Sequence, residues 1–339
     1  MNFDFAAVNE VNSKEESHTG GENMDRNVEV SIICDTYNHE STIRDALDGF
    51  FCQKTNFAFE ILIHDDASTD HTVDIIKEYE AKYPGIIRPI YQEVNQYKKS
   101  PGVMWGYQLP RVRGKYIAMC EGDDYWTDDH KLQKQYDILE SHPELDMCTH
   151  AVSGVNAKTG EEIWVLGPKG KEGVIPLREV IDGGGEFVGT CSLFYRTSVF
   201  DNDYKFCKNR LYDYIQQILG SLRGGMYYIP EVMGVYRYGD SGSWTVQVLQ
   251  DRELFVRTYS TLNKMLEELD EDTKGQFHDM IHEKLEKNTV SYYYSFGKET
   301  DGKEDVFYQW YKQISWKYKL MLFIKNKCTP LYKLLKKFV

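Results

Sequence analysis

Twice near the start of this 339-residue chain a short apolar run ends in a polar turn and gives way to a helical period, and that repeat restricts the fold more than any other feature. Val30, Ile32 and Ile33 make the first run, Asp35-Thr36-Tyr37-Asn38 the turn, and Ile43, Leu47 and Phe50 share one face of the helix that follows. Ile61-Leu62-Ile63 makes the second run and ends at His64-Asp65-Asp66; Ser68, Thr69 and Asp70 then offer caps before Val73, Ile76 and Tyr79 recur at helical spacing. Residues 86–91 and 116–120 supply two more strands. Strands alternating with helices predict an α/β fold with a mainly parallel central sheet flanked by helices. Ligands of such sheets sit at the carboxyl ends of the strands, where Tyr37, Asp66 and the acids of the stretch EGDDYW (121–126) all fall.

That stretch follows the apolar run Tyr116-Ile117-Ala118-Met119-Cys120, so Asp123 and Asp124 emerge directly from a buried strand. Adjacent carboxylates there are costly to desolvate unless something positive holds them, and a divalent cation carrying a diphosphate answers that need. An isolated Asp-Asp pair is more often a solvated turn; its company at three strand ends sets this one apart. A tyrosine ring can stack on a base, one aspartate can accept the imide proton of uracil, and other acids can hold ribose hydroxyls and a metal. Neither GxGxxG nor GxxxxGK[ST] follows the first strand, which demotes dinucleotide dehydrogenases and P-loop NTPases.

A hydrophobic fraction of 41% over this length supports one large α/β core plus a smaller helical region. The formal charge of -13 disfavours a nucleic-acid surface without excluding a nucleotide in a local pocket. Seven scattered cysteines with no CxxC pair fit reduced, buried thiols in a cytoplasmic protein. No signal peptide or membrane-spanning apolar run is present in the sequence, so the expectation is a soluble protein or one held at a membrane surface. Residues 1–27 are polar, without hydrophobic period, and read as a flexible leader.

The ordered set VSIICDTYN (30–38), ILIHDDASTD (61–70), GKYIAMCEGDDYW (114–126), LYDYIQQIL from 211 and VMGVYRYGDSGSW ending at 244 resembles the family 2 glycosyltransferases of the GT-A fold, nucleotide-sugar enzymes of bacterial surface-polysaccharide synthesis. The resemblance spans roughly residues 28–245, the nucleotide-sugar half being 28–126 and the acceptor half 127–245. It implies Thr36, Tyr37, Glu40, Asp66 and Asp123 in donor binding, with Tyr37 against uracil and Asp66 hydrogen-bonded to it, and Asp124 on Mn2+ or Mg2+. It also implies that Asp213, which by itself reads as a helix cap, is the catalytic base. Three departures stand out: Asp35 replaces the usual proline, Gly239 stands where relatives often carry a histidine, with Asp240 beside it, and residues 96–113 carry Lys98, Lys99, Arg111 and Arg113 as either a diphosphate clamp or a solvated basic loop.

The chemistry so implied is displacement of a nucleoside diphosphate from the anomeric carbon by an acceptor hydroxyl, with inversion. Further along, residues 145–149 and 187–195 read as strands, and Gly183-Gly184-Gly185 as a bend or mobile loop. Residues 246–315 read as a helical extension, with Leu254, Leu262, Met265 and Leu269 on one face and Phe277, Ile281, Leu285 and Tyr292 on another. Residues 316–339 hold seven lysines and no acid; Leu331, Leu334, Leu335 and Phe338 oppose Lys333, Lys336 and Lys337, a basic amphipathic pattern suited to peripheral membrane contact and a glycan or lipid-linked acceptor. A sugar nucleotidyltransferase and a non-catalytic nucleotide-sugar-binding protein are the alternatives. The first would release pyrophosphate rather than nucleoside diphosphate, and the second would bind donor without turnover.

Overall fold

The computed structural model describes residues 28–98, 104–170, 172–207, 212–239, 248, 251–296 and 306–327. The leader 1–27, Lys99, Asp240 and the amphipathic pattern of 331–338 lie outside them. One sheet organises the molecule, in the order β3-β2-β1-β4-β9-β6-β10-β5, with β7 on β6 and β8 on β10. Here β1 is Val28–Thr36, β2 Ala58–Asp65, β3 Ile87–Tyr91 and β4 Tyr116–Met119, all parallel to one another. Helices α1 (Ile43–Phe51) and α2 (Thr72–Lys82) make the crossovers that the apolar spacing predicts. Thr36, Asp65 and Tyr91 therefore end three adjacent parallel strands at one edge.

The second half departs from this parallel pattern. β9 (Phe194–Arg196) runs antiparallel to both β4 and β6 (Met147–Asn156), while β10 (Met226–Tyr238) runs parallel to β6. β5 (Tyr125–Trp126) is antiparallel to β10 at Gly234 and Val235, which brings the end of β10 beside the EGDDYW turn. β7 (Glu162–Leu166) and β8 (Gly173–Ile175) complete the sheet antiparallel to their neighbours.

Residues 187–195 are not one strand, contrary to the sequence reading. Short 3-10 turns at Gly185–Phe187 and Thr190–Ser192 interrupt the stretch, and only Phe194 and Tyr195 of it join β9. The reason is local: the Ser192 hydroxyl and backbone N–H both donate to Gly189 O, at 2.7 and 2.9 Å, and this turn competes with extension. The glycines 183–185 form a fixed bend, with Gly184 at φ +75°.

The period-2 alternation of each central strand fills two cores. Ile32, Ile61, Ile63 and Ala118 pack under α1, α2 and α3 (Lys131–Ser141). Ile33, Leu62, Ile117 and Met119 pack on the other face with α4 (Leu177–Gly183) and α5 (Asp213–Ser221). The C-terminal helices α6 (Arg252–Asp272) and α7 (His278–Phe296) send Met265, Leu266, Leu269 and Ile281 into that same second core. The extension thus shares this core with the sheet and adds two smaller clusters of its own, one around Phe255 and Tyr292 and one around Val290 and Leu322. Two further helices follow, α8 (Val306–Gln313) and α9 (Trp316–Lys327). Among the described residues no helix is long and apolar enough to cross a membrane.

Candidate active site

The turn after β4 is held by backbone bonds. Cys120 N–H donates to Ile33 O at 3.1 Å, Gly122 N–H to Asp35 O at 3.0 Å and Asp124 N–H to Glu121 O at 3.1 Å. Only glycine fits at 122: a Cβ there would lie 2.7 Å from Thr36 Oγ1 and 2.9 Å from His39 Nδ1. Both of those atoms are buried and lack a hydrogen-bond partner. Below the turn the indole of Trp126 donates to Cys191 O at 2.8 Å, and the buried ammonium of Lys131 lies 4.0 Å from the Trp126 ring centre. Burial lowers the Lys131 pKa to about 8.

Glu121, Asp123 and Asp124 each present an oxygen within 4.8 Å of the others. Asp124 is buried; its Oδ1 accepts from Arg237 N–H at 3.1 Å, and its Oδ2 has no partner. Desolvation first, then Asp123 and Glu121, push the Asp124 carboxyl well above the usual carboxylate range. Glu121 is raised as well, by desolvation and then by Asp123, Asp213 and Asp35, although its side chain is exposed and solvent weakens the effect. An orphaned buried carboxylate oxygen among three acids with so little counter-charge fits a hard divalent cation. A cation there would hold these groups ionised.

Arg237, in the YRYG segment at the end of β10, braces this turn. Its Nη1 donates to Asp123 O at 2.6 Å, its Nη2 pairs with Asp45 on α1, and the guanidinium lies 4.4 Å from the Tyr125 ring centre. His39 Nε2 stands 4.0 Å from Asp123 Oδ2. Sequence reasoning assigned neither residue a role. Arg237 could have been found in the Tyr-Arg pair of the motif, whereas His39 carried no signal beyond adjacency to Tyr37-Asn38.

The β1 and β2 ends interlock. Asp66 N–H donates to Thr36 O at 2.9 Å, Asn38 Oδ1 accepts from Thr69 N–H at 2.8 Å, and Asp70 Oδ1 caps Thr72 N–H at 3.0 Å. Asn38 and Ala67 adopt positive φ (56° and 67°) to allow this. Asp66 Oδ1 and Oδ2 accept the backbone N–H groups of Gln96 and Tyr97, at 2.7 and 3.0 Å. Tyr37 stands at the rim, 36% exposed. The Glu40 carboxylate accepts from His71 N–H at 3.0 Å at the start of α2. Asp35, in place of proline, accepts from Gln108 Nε2 at 3.3 Å and lies 3.9 Å from His64 Nδ1. Desolvation, partly offset by Gln108 and reinforced by Asp66, raises Asp35 to about 6.

Asp213 begins α5, and its Oδ1 accepts from Tyr214 N–H at 2.9 Å. Desolvation raises its pKa; the Tyr214 N–H and the Thr190 hydroxyl pull the other way. Asp213 and Glu121 lie close enough to share a field, and Tyr97 feels both of them and Tyr212. The two arginines of the basic stretch are spent elsewhere, while Lys98 is exposed. Arg113 Nη2 and Arg88 pair with buried Glu60 at 2.7 and 2.6 Å, and Arg111 donates to Gln108 Oε1 and Arg88 O.

Comparison with known proteins agrees with this geometry. The sequence model described as "Glycosyl transferase family 2" matches residues 31–201. The uncharacterized protein Rv1520 of Mycobacterium tuberculosis is 36% identical over 245 residues, 70% of this chain and 68% of its own. The UDP-Glc:alpha-D-GlcNAc-diphosphoundecaprenol beta-1,3-glucosyltransferase WfaP of Escherichia coli is 34% identical over 112 residues, 33% of this chain and 41% of its own. Among solved structures, S. aureus TarS 1-349 in complex with UDP superposes with a TM-score of 0.59 at 20% identity, covering 84% of this chain and 78% of that one, which is a likeness of fold.

Proposed function

This chain belongs to glycosyl transferase family 2, and from that premise we propose that it is an inverting, metal-dependent transferase moving a sugar from a nucleotide-diphosphate donor, a UDP-sugar, to a hydroxyl of a glycan or lipid-linked acceptor in cell-surface polysaccharide synthesis. The observation that carries the reading is the orphaned, buried Asp124 Oδ2 within the Glu121-Asp123-Asp124 cluster, whose Glu121 feels the charge of Asp213. UDP is favoured by the UDP complex of the TarS relative, and a lipid-linked acceptor by the diphosphoundecaprenol acceptor in the name of WfaP. We place the enzyme in the cytoplasm, in contact with the inner face of the membrane through 316–339.

Asp124, with Glu121 or Asp123 beside it, would hold Mn2+ or Mg2+. The bound cation would offset the charge gathering on the leaving diphosphate. Tyr37, exposed at the rim, stacks on the base, and Thr36 Oγ1 has a lone pair to offer the nucleoside. Each Asp66 oxygen accepts one backbone N–H and keeps a second lone pair for the uracil imide. Glu40 orders the Tyr37 turn from α2, and Asp123, half-exposed, takes the ribose side.

Asp213 accepts the acceptor's hydroxyl proton as that oxygen attacks the anomeric carbon. The new C–O bond forms as the bond from the anomeric carbon to the diphosphate oxygen breaks, and the electron pair leaves with the diphosphate. One displacement inverts the configuration, so an α-linked donor gives a β-linked product. The test is a panel of nucleotide sugars with Mn2+, reading nucleoside diphosphate release. Pyrophosphate release would identify a nucleotidyltransferase instead. Donor binding without turnover, even to water, would identify a sensor.

A further inference from the structure

The last described helix, α9, carries an apolar face that no element among the described residues covers. Its inner side is committed: Leu322 is buried with Val290 and Ile314, and Tyr318 and Met321 pack against them. On the outer side Trp316 is 75%, Leu320 46% and Phe323 60% exposed. Spacings of four and three residues set these three side chains within an arc of about 60° on the helix. Exposed Lys317 lies on one flank of the stripe. Lys319 lies on the other, its ammonium donating to Lys312 O at 2.9 Å, and Lys312 itself is exposed on α8.

We propose that this face docks on the surface of an anionic lipid bilayer, with Trp316, Leu320 and Phe323 seated at the boundary of headgroups and acyl chains and the lysines on the headgroups. Charge supports this occupant. Residues 316–339 hold seven lysines and no acid, and without them the net charge of the chain would pass from -13 to -20, so this end is where an anionic surface is attracted. Size supports it too. The three side chains offer roughly 300–400 Å² on a convex ridge, against about 800 Å² per partner in a stable protein interface. A helix lying in a bilayer surface needs only such a ridge. The proposal extends the reading of a lipid-linked acceptor, because docking would hold the enzyme at the membrane where that acceptor lies, but its readout does not depend on turnover.

The full-length protein is sedimented with vesicles of phosphatidylcholine alone or mixed with phosphatidylglycerol, at low and at high salt. Binding is expected on the anionic vesicles and weakened by salt. The triple variant Trp316→Ser, Leu320→Ser, Phe323→Ser should lose at least about tenfold in affinity. Lys317→Glu should lose about fivefold or more on anionic vesicles alone. Circular dichroism of both variants should match the parent. The proposal is overturned if the triple variant sediments like the parent, or if the parent stays in the supernatant with both vesicle types. Light scattering that finds a dimer which the triple variant dissolves would equally overturn it, assigning the face to a second copy. A protein that binds vesicles yet transfers no sugar would fail the catalytic reading only, so the two failures are distinct.

Discussion

Replacing Asp213 by Asn removes a proton acceptor while keeping an acceptor for the first turn of α5. The Asn Oδ1 can take over the 2.9 Å bond from Tyr214 N–H, and the Thr190 hydroxyl can turn to accept from the new amide. The stability cost should therefore stay within a few tenths of a kcal/mol, since Asn caps about as well as Asp. Alanine instead strands the Tyr214 N–H and should cost about 1–2 kcal/mol. Rate behaves differently. Loss of a positioned general base lowers turnover by about 10² to 10⁴, equivalent to about 3–5 kcal/mol of transition-state stabilisation. The assay is nucleoside diphosphate release at saturating donor and acceptor, with melting temperature measured on the same preparations. Desolvation holds the Asp213 carboxyl above its ordinary value, so the parent's activity should fall with decreasing pH through that raised pKa. The Asn variant should lack this limb. An Asn variant turning over near the parental rate refutes the assignment, and Asp203 or Glu186 becomes the candidate base.

Asp35→Asn should stabilise the protein by about 1–3 kcal/mol near pH 8, because burial raises this carboxyl to about 6 and its ionised form is penalised in the fold. The sign follows from the raised pKa: the penalty is full above about 6 and vanishes as pH falls to 3.8, so melting curves of variant and parent should converge there. Gly122→Ala should cost about 1–3 kcal/mol and roughly 10²-fold in rate, since its Cβ falls 2.7 Å from Thr36 Oγ1 and displaces the acidic turn. Gly106→Ala, whose Cβ meets nothing within 4 Å, is the control and should be silent by melting and by rate. Asp66→Ala should weaken UDP binding by about 1–3 kcal/mol in calorimetry. Equal loss for every nucleobase would mean that Asp66 only shapes the turn at Gln96 and Tyr97.

The parallel half of the sheet was legible because its determinants are local. Apolar runs, caps such as Asp70 and strand-end acids act within a few residues of one another, and the observed β1, β2 and β4 follow them closely. What stayed hidden depends on distant partners. Arg237 meets the acidic turn from more than a hundred residues away, and the need for glycine at 122 is set by Thr36 and His39. Arg113 read as a basic loop residue because its partner, buried Glu60, lies on another strand. The stretch 187–195 misled because apolar content suggests a strand, while hydroxyl bonds of Ser192 to its own turn decide otherwise. The extension's sharing of the second core was equally invisible, since amphipathic faces at Leu269 and Ile281 do not name what they cover.

The central claim is that Asp124 anchors a divalent cation through which the donor diphosphate is bound. Calorimetric titration of UDP into parent and Asp124→Asn protein, each with and without Mn2+, tests it directly. The account predicts that Mn2+ tightens UDP binding to the parent by tenfold or more, as direct contact with the diphosphate requires, and leaves the variant's affinity unchanged while its fold persists. Equal enhancement by Mn2+ in both proteins would contradict it.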